Sequence, residues 1–288
     1  MPGRAFSRVL HQHPRLRLGG LLSLPGLWLV VAYLGSLAAM FVTAVWTTDT
    51  FTGEIIRQFT WENFQTLLTD SVYRNIALRS LGVAAAVTVI DALIALPIAF
   101  YMAKVAGRRT RQVMVVAILT PLWASYLVKA YSWRIMLGDN GAINWALGPF
   151  GLHGPGYGLF ATVLTLAYLW LPFMILPVYA GLERVPDSLL EASSDLGAPA
   201  GRTFRSIVMP LLFPALVAGS IFTFSLSLGD YITVKIVGGA TQLFANVIYD
   251  NIVTANNLPF AAAAATFPVL AMVIYLLLVR RTGALDNL

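Results

Sequence analysis

Six long apolar stretches punctuate the chain, at Leu21–Trp46, Gly82–Met102, Val113–Met136, Leu159–Ala180, Leu211–Leu228 and Phe260–Val279. Each is near or above the roughly 20 residues with which a helix crosses a bilayer. None shows the every-second-residue alternation of a barrel strand, so all six are predicted to be helices. The fifth is interrupted by Gly229-Asp230 before Tyr231–Val237 resumes the apolar pattern. Between spans, Thr47–Asn75 is polar, carries charges of both signs around Trp61-Glu62-Asn63-Phe64, and is predicted to form short helices on the outer surface. Gly138–Gly158 is rich in glycine, with Pro149 and Pro155, and reads as turn and loop. No internal repeat stands out, and the run Ala261–Ala265 is good helix former. The pattern predicts an all-α integral membrane fold, with one six-span domain over residues 21–280 and tails at 1–20 and 281–288.

Composition narrows the class. Of 288 residues, 58% are hydrophobic and 11% charged, against about 45–50% and about 25% in soluble domains. With a mean hydropathy of +0.75, these values exclude an ordinary soluble enzyme, a disordered chain and a secreted disulfide scaffold. The absence of cysteine removes disulfides, thiolate nucleophiles and Cys-ligated metals. Arg4, Arg8, Arg15, Arg17, Lys104, Arg108, Arg109, Arg111, Arg184, Arg202, Arg205, Arg280 and Arg281 are thirteen of the 19 basic residues, and all fall on one side of the predicted spans. The positive-inside rule makes that side cytoplasmic and places both termini there. The pI of about 9.7 therefore reflects topology, not nucleic-acid binding. The first apolar run is about 26 residues, well beyond the 7–15 of a secretory signal, and reads as an uncleaved span. His11, His13 and His153 lie in a tail and a loop without a carboxylate cluster beside them, so no metal site is expected.

The loop after the fourth span, LERVPDSLLEASSDLGAPAGRTFRSIVMP over residues 182–210, carries the densest information. Pro186-Asp187-Ser188 suits a helix start, with an oxygen to cap free amides and Glu191 three residues beyond Ser188. Gly197 suits the helix end, where a positive φ is wanted. Between them Leu189, Ala192, Ser193 and Leu196 fall at i, i+3, i+4 and i+7, on one face. Asp187, Glu191 and Asp195 recur every four residues beside that face. Pro199 can open a second helix continuing through Phe204 and Ile207 into the fifth span. A short, small-residue-rich amphipathic helix of this kind is shaped to fit a partner's groove.

Glu191-Ala192-Ser193, three residues, Gly197, nine residues, Ile207, two residues and Pro210 resemble the EAA motif of ABC importer permeases. Ser193 stands in place of the motif's second Ala and Met209 in place of its Leu. Thr120–Lys129, Trp133, Leu137–Asn144, Leu171–Pro177 and Ser227–Tyr231 are similar to the spermidine/putrescine-type branch, and the likeness covers about Leu78 to Val279. The resemblance implies the type I importer permease fold in a bacterial inner membrane. It makes residues 183–209 a cytoplasmic coupling loop that docks into an ATP-binding subunit through Leu189, Glu191, Ala192, Asp195, Leu196 and Gly197. It also implies the partners: a second permease, usually a different chain, two ATP-binding subunits and an extracytoplasmic solute-binding protein. The expected solute is a polyamine. The chain itself holds no G-x-x-x-x-G-K-[ST] loop, so ATP and Mg are expected on the partner ATPase and no cofactor here.

Ionisable side chains at bilayer depth cost about 2.5–3.5 kcal/mol on insertion scales and so are candidates for function. Asp91 sits mid-way along the second span, where a cation path or an interhelical partner would each account for it. Asp230 and Tyr231 lie where the fifth span breaks, and unwound backbone at that depth needs cover from protein or a water-filled cavity. Lys235 would neutralise Asp230 if it reached it. Lys129 and Arg134 are expected to snorkel to the interface. Trp123, Tyr126, Ala130 and Trp133 recur along one face of a continuous third span, as a row for cation–π contact with an organic cation or as belt and core. No Gly-x-Ser-x-Gly or H-E-x-x-H occurs, so no catalytic residue is assigned. Two alternatives stay open: an importer permease for another small organic solute, and an ion-driven secondary carrier, which should show paired repeats with matching broken helices.

Overall fold

The computed structural model describes residues 14–49 and 52–280. Residues 1–13 and 281–288, with Arg4, Arg8, His11, His13 and Arg281, lie outside the described residues. The chain enters the first span as α1 (Pro14–Leu29), passes a π turn at Val30–Leu34 and leaves as α2 (Gly35–Ala44). A two-residue antiparallel pair, β1 (Thr47–Thr48) with β2 (Ile55–Ile56), and the short α3 (Glu62–Thr69) follow. The side chain of Asn63 is buried and donates to the carbonyls of Ala44 at 3.0 Å and Trp46 at 2.8 Å, which covers oxygens the helix end leaves free.

The polar segment stops being separate at Asp70, whose carboxylate caps the Val72 amide at 2.8 Å and starts α4 (Ser71–Phe100). The second span is thus one helix of 35 residues, Ser71–Val105, eleven residues longer at its start than the apolar pattern predicts. Arg74 and Arg79 hid that start: both lie on its exposed side. A larger difference lies in the third span. α5 (Arg108–Trp123) and α6 (Tyr126–Leu137) are separate helices, and the pair Arg108–Trp123 and Tyr126–Phe150 bends by 95°. Extended backbone at Ala124 and Ser125 makes the break, with Pro121 in the last turn of α5. The region predicted as plain loop contains α7 (Ala142–Leu147), packed so closely after α6 that a Cβ on Gly141 would lie 2.3 Å from the Met136 carbonyl.

α8 (Leu159–Glu183) is the fourth span, and α9 (Asp187–Asp195) the helix of the loop that follows. α10 (Ala200–Thr203), opened by Pro199, runs through a π turn at Phe204–Val208 into α11 (Met209–Leu228), as the sequence predicts. The fifth span breaks at Gly229-Asp230 before α12 (Ile232–Val237). α13 (Phe244–Val253) and α14 (Leu258–Arg280) complete the chain. Among the described residues, five helices are long and apolar enough to span, and the bent pair, taken as one span, supplies a sixth.

The core is the three-helix contact of α4, α8 and α11. Ala95, Ala99 and Met102 meet Met174, Val178 and Leu182 and, across the π turn, Val208 and Leu212. α8 and α11 approach through glycine. A Cβ on Gly181 would sit 2.4 Å from that of Ala215, and one on Gly219 would sit 2.6 Å from the Met174 sulfur. Small residues let helices in lipid come this close. The Ala261–Ala264 stretch serves α14 in the same way, with Ala262 and Ala263 packed against Ala44.

Candidate functional site

Two places concentrate polar chemistry, one at the loop helix α9 and one where the broken spans meet. At the first, α9 lies across the ends of α4 and α8. Gly197 adopts φ +74°. Its amide donates to the Ser194 carbonyl at 2.8 Å, and the Ala198 amide to that of Ser193 at 3.0 Å, a helix end that favours glycine through its hand. A Cβ there would meet nothing within 4 Å, so conformation and not space selects the residue. Leu190 packs on the core and Ser193 is buried, its hydroxyl 2.7 Å from that of Thr203. Leu189, Glu191, Ala192, Asp195 and Leu196 face outward, Leu196 with 87% of its surface exposed.

This corrects the helix face in one respect. Ser193, grouped by periodicity with Leu189, Ala192 and Leu196, turns inward and ties α9 to α10. The start also differs, since Pro186 precedes the helix and no side chain caps it. The Asp187 carboxylate instead accepts from Lys104 Nζ at 2.7 Å, because an ammonium within reach is a stronger donor than a backbone amide. Beside α9, an apolar groove of about 650 Å³ runs between α8 and α11, lined by Pro177, Pro210, Pro214 and Leu189 among others, with Arg184 at its rim.

Part-way along the bundle, beside the middle of α8, the two broken spans meet. Asp230 is 7% exposed. Its carboxylate accepts the Thr233 amide at 2.8 Å, the Thr233 hydroxyl at 3.0 Å and the Tyr126 hydroxyl. The first bond satisfies a free amide at the start of α12, and the third comes from the first residue of α6. One carboxylate therefore stitches the break in the third span to the break in the fifth. Lys235 does not reach it, but pairs with Asp250 and lies over the Tyr249 ring. Arg134 is exposed, and its guanidinium donates to the Ile236 carbonyl of α12 and lies 5.0 Å from the centre of the Tyr157 ring.

A cavity of about 340 Å³ opens at this knot, lined by Tyr126, Trp170, Ser225, Gly229, Asp230 and Tyr231. Tyr126 stacks on Trp170 at 6.0 Å, and Tyr231 on Tyr249 at 4.5 Å. The rings continue from Trp170 to Phe173 and on to Phe222, at 5.9 and 6.2 Å. Asp230, Tyr231 and Tyr126 are thus brought together. Trp123 and Asp91 are not. The 95° bend puts Trp123 on α5, 90% exposed and outside the cavity lining. It also dissolves the single aromatic face, leaving Ala130 buried and Trp133 against Tyr168 at 5.4 Å. Asp91 is 0% exposed and lines neither the cavity nor the groove, and neither of its oxygens has a hydrogen-bond partner among the described residues. Trp170 and Thr233 were missed by the sequence reading. The available signal for Trp170 was an indole well inside a span instead of at the interfacial belt.

A polytopic helical bundle with an outward-facing helix in one loop and a polar knot between broken spans defines a membrane transport component. Residues 95–282 match the family described as "Binding-protein-dependent transport system inner membrane component". The chain belongs to this family: it is an ABC importer permease of the inner membrane. It is 40% identical to the inner membrane ABC transporter permease protein YdcU of Escherichia coli (strain K12), over 96% of this chain and 93% of the relative. It is 31% identical to the spermidine/putrescine transport system permease protein PotB of the same organism, over 80% and 84%. Among solved structures, its fold is similar to a chain of a bacterial ABC transporter involved in the import of the acidic polysaccharide alginate. That match has a TM-score of 0.72 and 14% identity, and it covers 96% of this chain and 98% of that one. A second structure of the alginate transporter, in complex with an alginate pentasaccharide-bound periplasmic protein, matches with a TM-score of 0.71 at 14% identity, over 94% and 95%.

Proposed function

We propose that this permease forms a solute path with a second permease of different sequence, driven by two ATP-binding subunits, one of which docks on α9. The observation that carries the reading is the outward face of α9, where Glu191, Ala192, Asp195 and Leu196 stand clear of the bundle and Leu189 is exposed beside the groove, while Leu190 and Ser193 anchor the helix. A helix held on one face and bare on the other is arranged to enter a groove. In this reading the α9 end is cytoplasmic, as are both termini, and ATP and Mg stay on the docked subunits. An extracytoplasmic solute-binding protein delivers to the other end, and the cavity beside Asp230 and Tyr231 lies on the way across, level with Trp170 in the middle of α8.

The proposed solute is a polyamine. The relatives named for spermidine/putrescine transport support it. So does a cavity that sets one carboxylate among Tyr126, Trp170 and Tyr231, since aromatic faces and a carboxylate both attract organic ammonium groups. Asp91 enters the path only in a conformation that opens the α4–α8–α11 contact. The test is ATP-driven uptake by vesicles holding the reconstituted importer, with spermidine, putrescine and neutral solutes compared. Glu191→Trp and Gly197→Trp should release the ATP-binding subunits and cut uptake at least tenfold while the spans stay inserted. Wild-type uptake by both variants overturns the docking assignment, and equal uptake of neutral solutes overturns the polyamine.

A further inference from the structure

The basic residues between the second and third spans do more than set topology. Lys104 lies in the π turn Tyr101–Val105 that ends the second span. Its side chain is 10% exposed, and Nζ donates to the Val185 carbonyl at 2.6 Å and to Asp187, the first residue of α9, at 2.7 Å. Arg111, in the first turn of α5, donates to the carbonyls of Met102 at 3.0 Å and Ala103 at 3.2 Å and to Glu183 at 3.3 Å. Glu183 ends α8 and also accepts from Tyr179. Two bases and two acids thus join four segments: the ends of α4 and α8 and the starts of α5 and α9. The enclosed ammonium has lost most of its water and depends on these two partners, although the Asp187 side chain itself is 76% exposed.

α5 is otherwise weakly attached. None of its residues is buried, and only Met114, Val115 and Ile118 touch the margin of the core. As a helix of 16 residues it is about 24 Å long. Its far end is the Ala124-Ser125 break, where Tyr126 begins its hold on Asp230.

We propose that Lys104 is a positioning residue for transport. With Arg111 it makes α9 and α5 move as one body, so that displacement of α9 swings α5 and works the knot between the broken spans. This rests on α9 being the docking helix. Without Lys104, α9 would shift on its own and ATP would be spent without moving solute.

The experiment uses the complete importer in vesicles and reads three quantities: ATP-binding subunits retained, ATP hydrolysed, and solute carried per ATP. Lys104→Met should keep the first two within about twofold of wild type and lower the third at least tenfold. Lys104→Arg, which keeps N–H donors for both the Val185 carbonyl and Asp187, should restore most of it and carries the test alone if Lys104→Met fails to insert. A wild-type ratio in Lys104→Met overturns the proposal. Loss of docking in step with uptake does the same, because Lys104 would then only shape the docking surface. A Lys104→Arg importer that docks yet stays uncoupled also overturns it. Failure of the docking reading itself shows separately, as retention of ATP-binding subunits by Gly197→Trp.

Discussion

The first and fourth spans are almost equally apolar, yet they live in different surroundings. Eleven of the 25 residues of Leu159–Glu183 are buried within the protein, against Ala44 alone in Leu22–Ala44. Hydropathy states only that a segment avoids water. What covers it depends on the detailed surface, because lipid tails are as apolar as leucine and give no hydrophobic reward for helix contact. α8 earns its place through fit: Gly181 admits Ala215, and Met174 lies against Gly219. The first span offers no such surface until Ala44, and its Leu24, Leu27, Trp28 and Tyr33 remain outward for lipid or another chain.

The sharpest way to break this contrast is a matched pair of glycine substitutions. Gly181→Leu drives a side chain into Ala215 and Leu212, whereas a Cβ at Gly35 meets nothing within 4 Å. Overpacking of this kind costs about 1–3 kcal/mol and more where backbone is in the way. Gly181→Leu should therefore lower the thermal midpoint of the purified protein strongly and Gly35→Leu hardly at all. Equal losses would show that the first span is packed as tightly as the fourth.

A smaller effect is expected where the third span leans on the fourth. Tyr126→Phe keeps the stacking on Trp170 but deprives Asp230 of one of its donors. Losing a hydrogen bond to a charged, enclosed group costs about 1.5–3 kcal/mol, less when other donors remain, as both Thr233 bonds do here. The expected result is a moderate fall in midpoint together with faster hydrogen exchange at Tyr126–Lys129 and Ile232–Val237. Exchange unchanged at both breaks would show that Asp230 does not join them. Smallest of all should be Leu27→Ala, at a site 63% exposed, where about 0.5 kcal/mol or less is expected. A larger loss in the assembled importer than in the isolated subunit would reveal a partner on that face.

The same division runs through the sites. The loop helix was legible because its signals are local: Pro186 before it, Gly197 after it with φ +74°, and Pro199 opening the next. The break at Gly229-Asp230 was legible for the same reason. The break at Ala124-Ser125 was not, since neither residue interrupts an apolar run and Pro121 sits inside the helix it ends. Local spacing puts Asp187 and Ser193 on α9, but their partners, Lys104 and Thr203, lie outside that helix and no local pattern points to them.

Sequence by itself determined the solvent of this protein, the number of crossings, the spacing of its loop motif and the hand of its glycine turn. Those follow from hydropathy and backbone preference within a few residues. Tertiary structure alone decided that Tyr126 holds Asp230, that Lys104 and Arg111 clamp the ends of four helices, and that Asp91 is enclosed. Each clamp or stitch joins residues 70 to 110 positions apart, at separations of 104, 83 and 72 for the Tyr126, Lys104 and Arg111 bonds to acids. Hydroxyls, ammonium and guanidinium groups have many eligible acceptors along such a chain. Only the packing of the spans puts one of them within 3 Å or so of the donor.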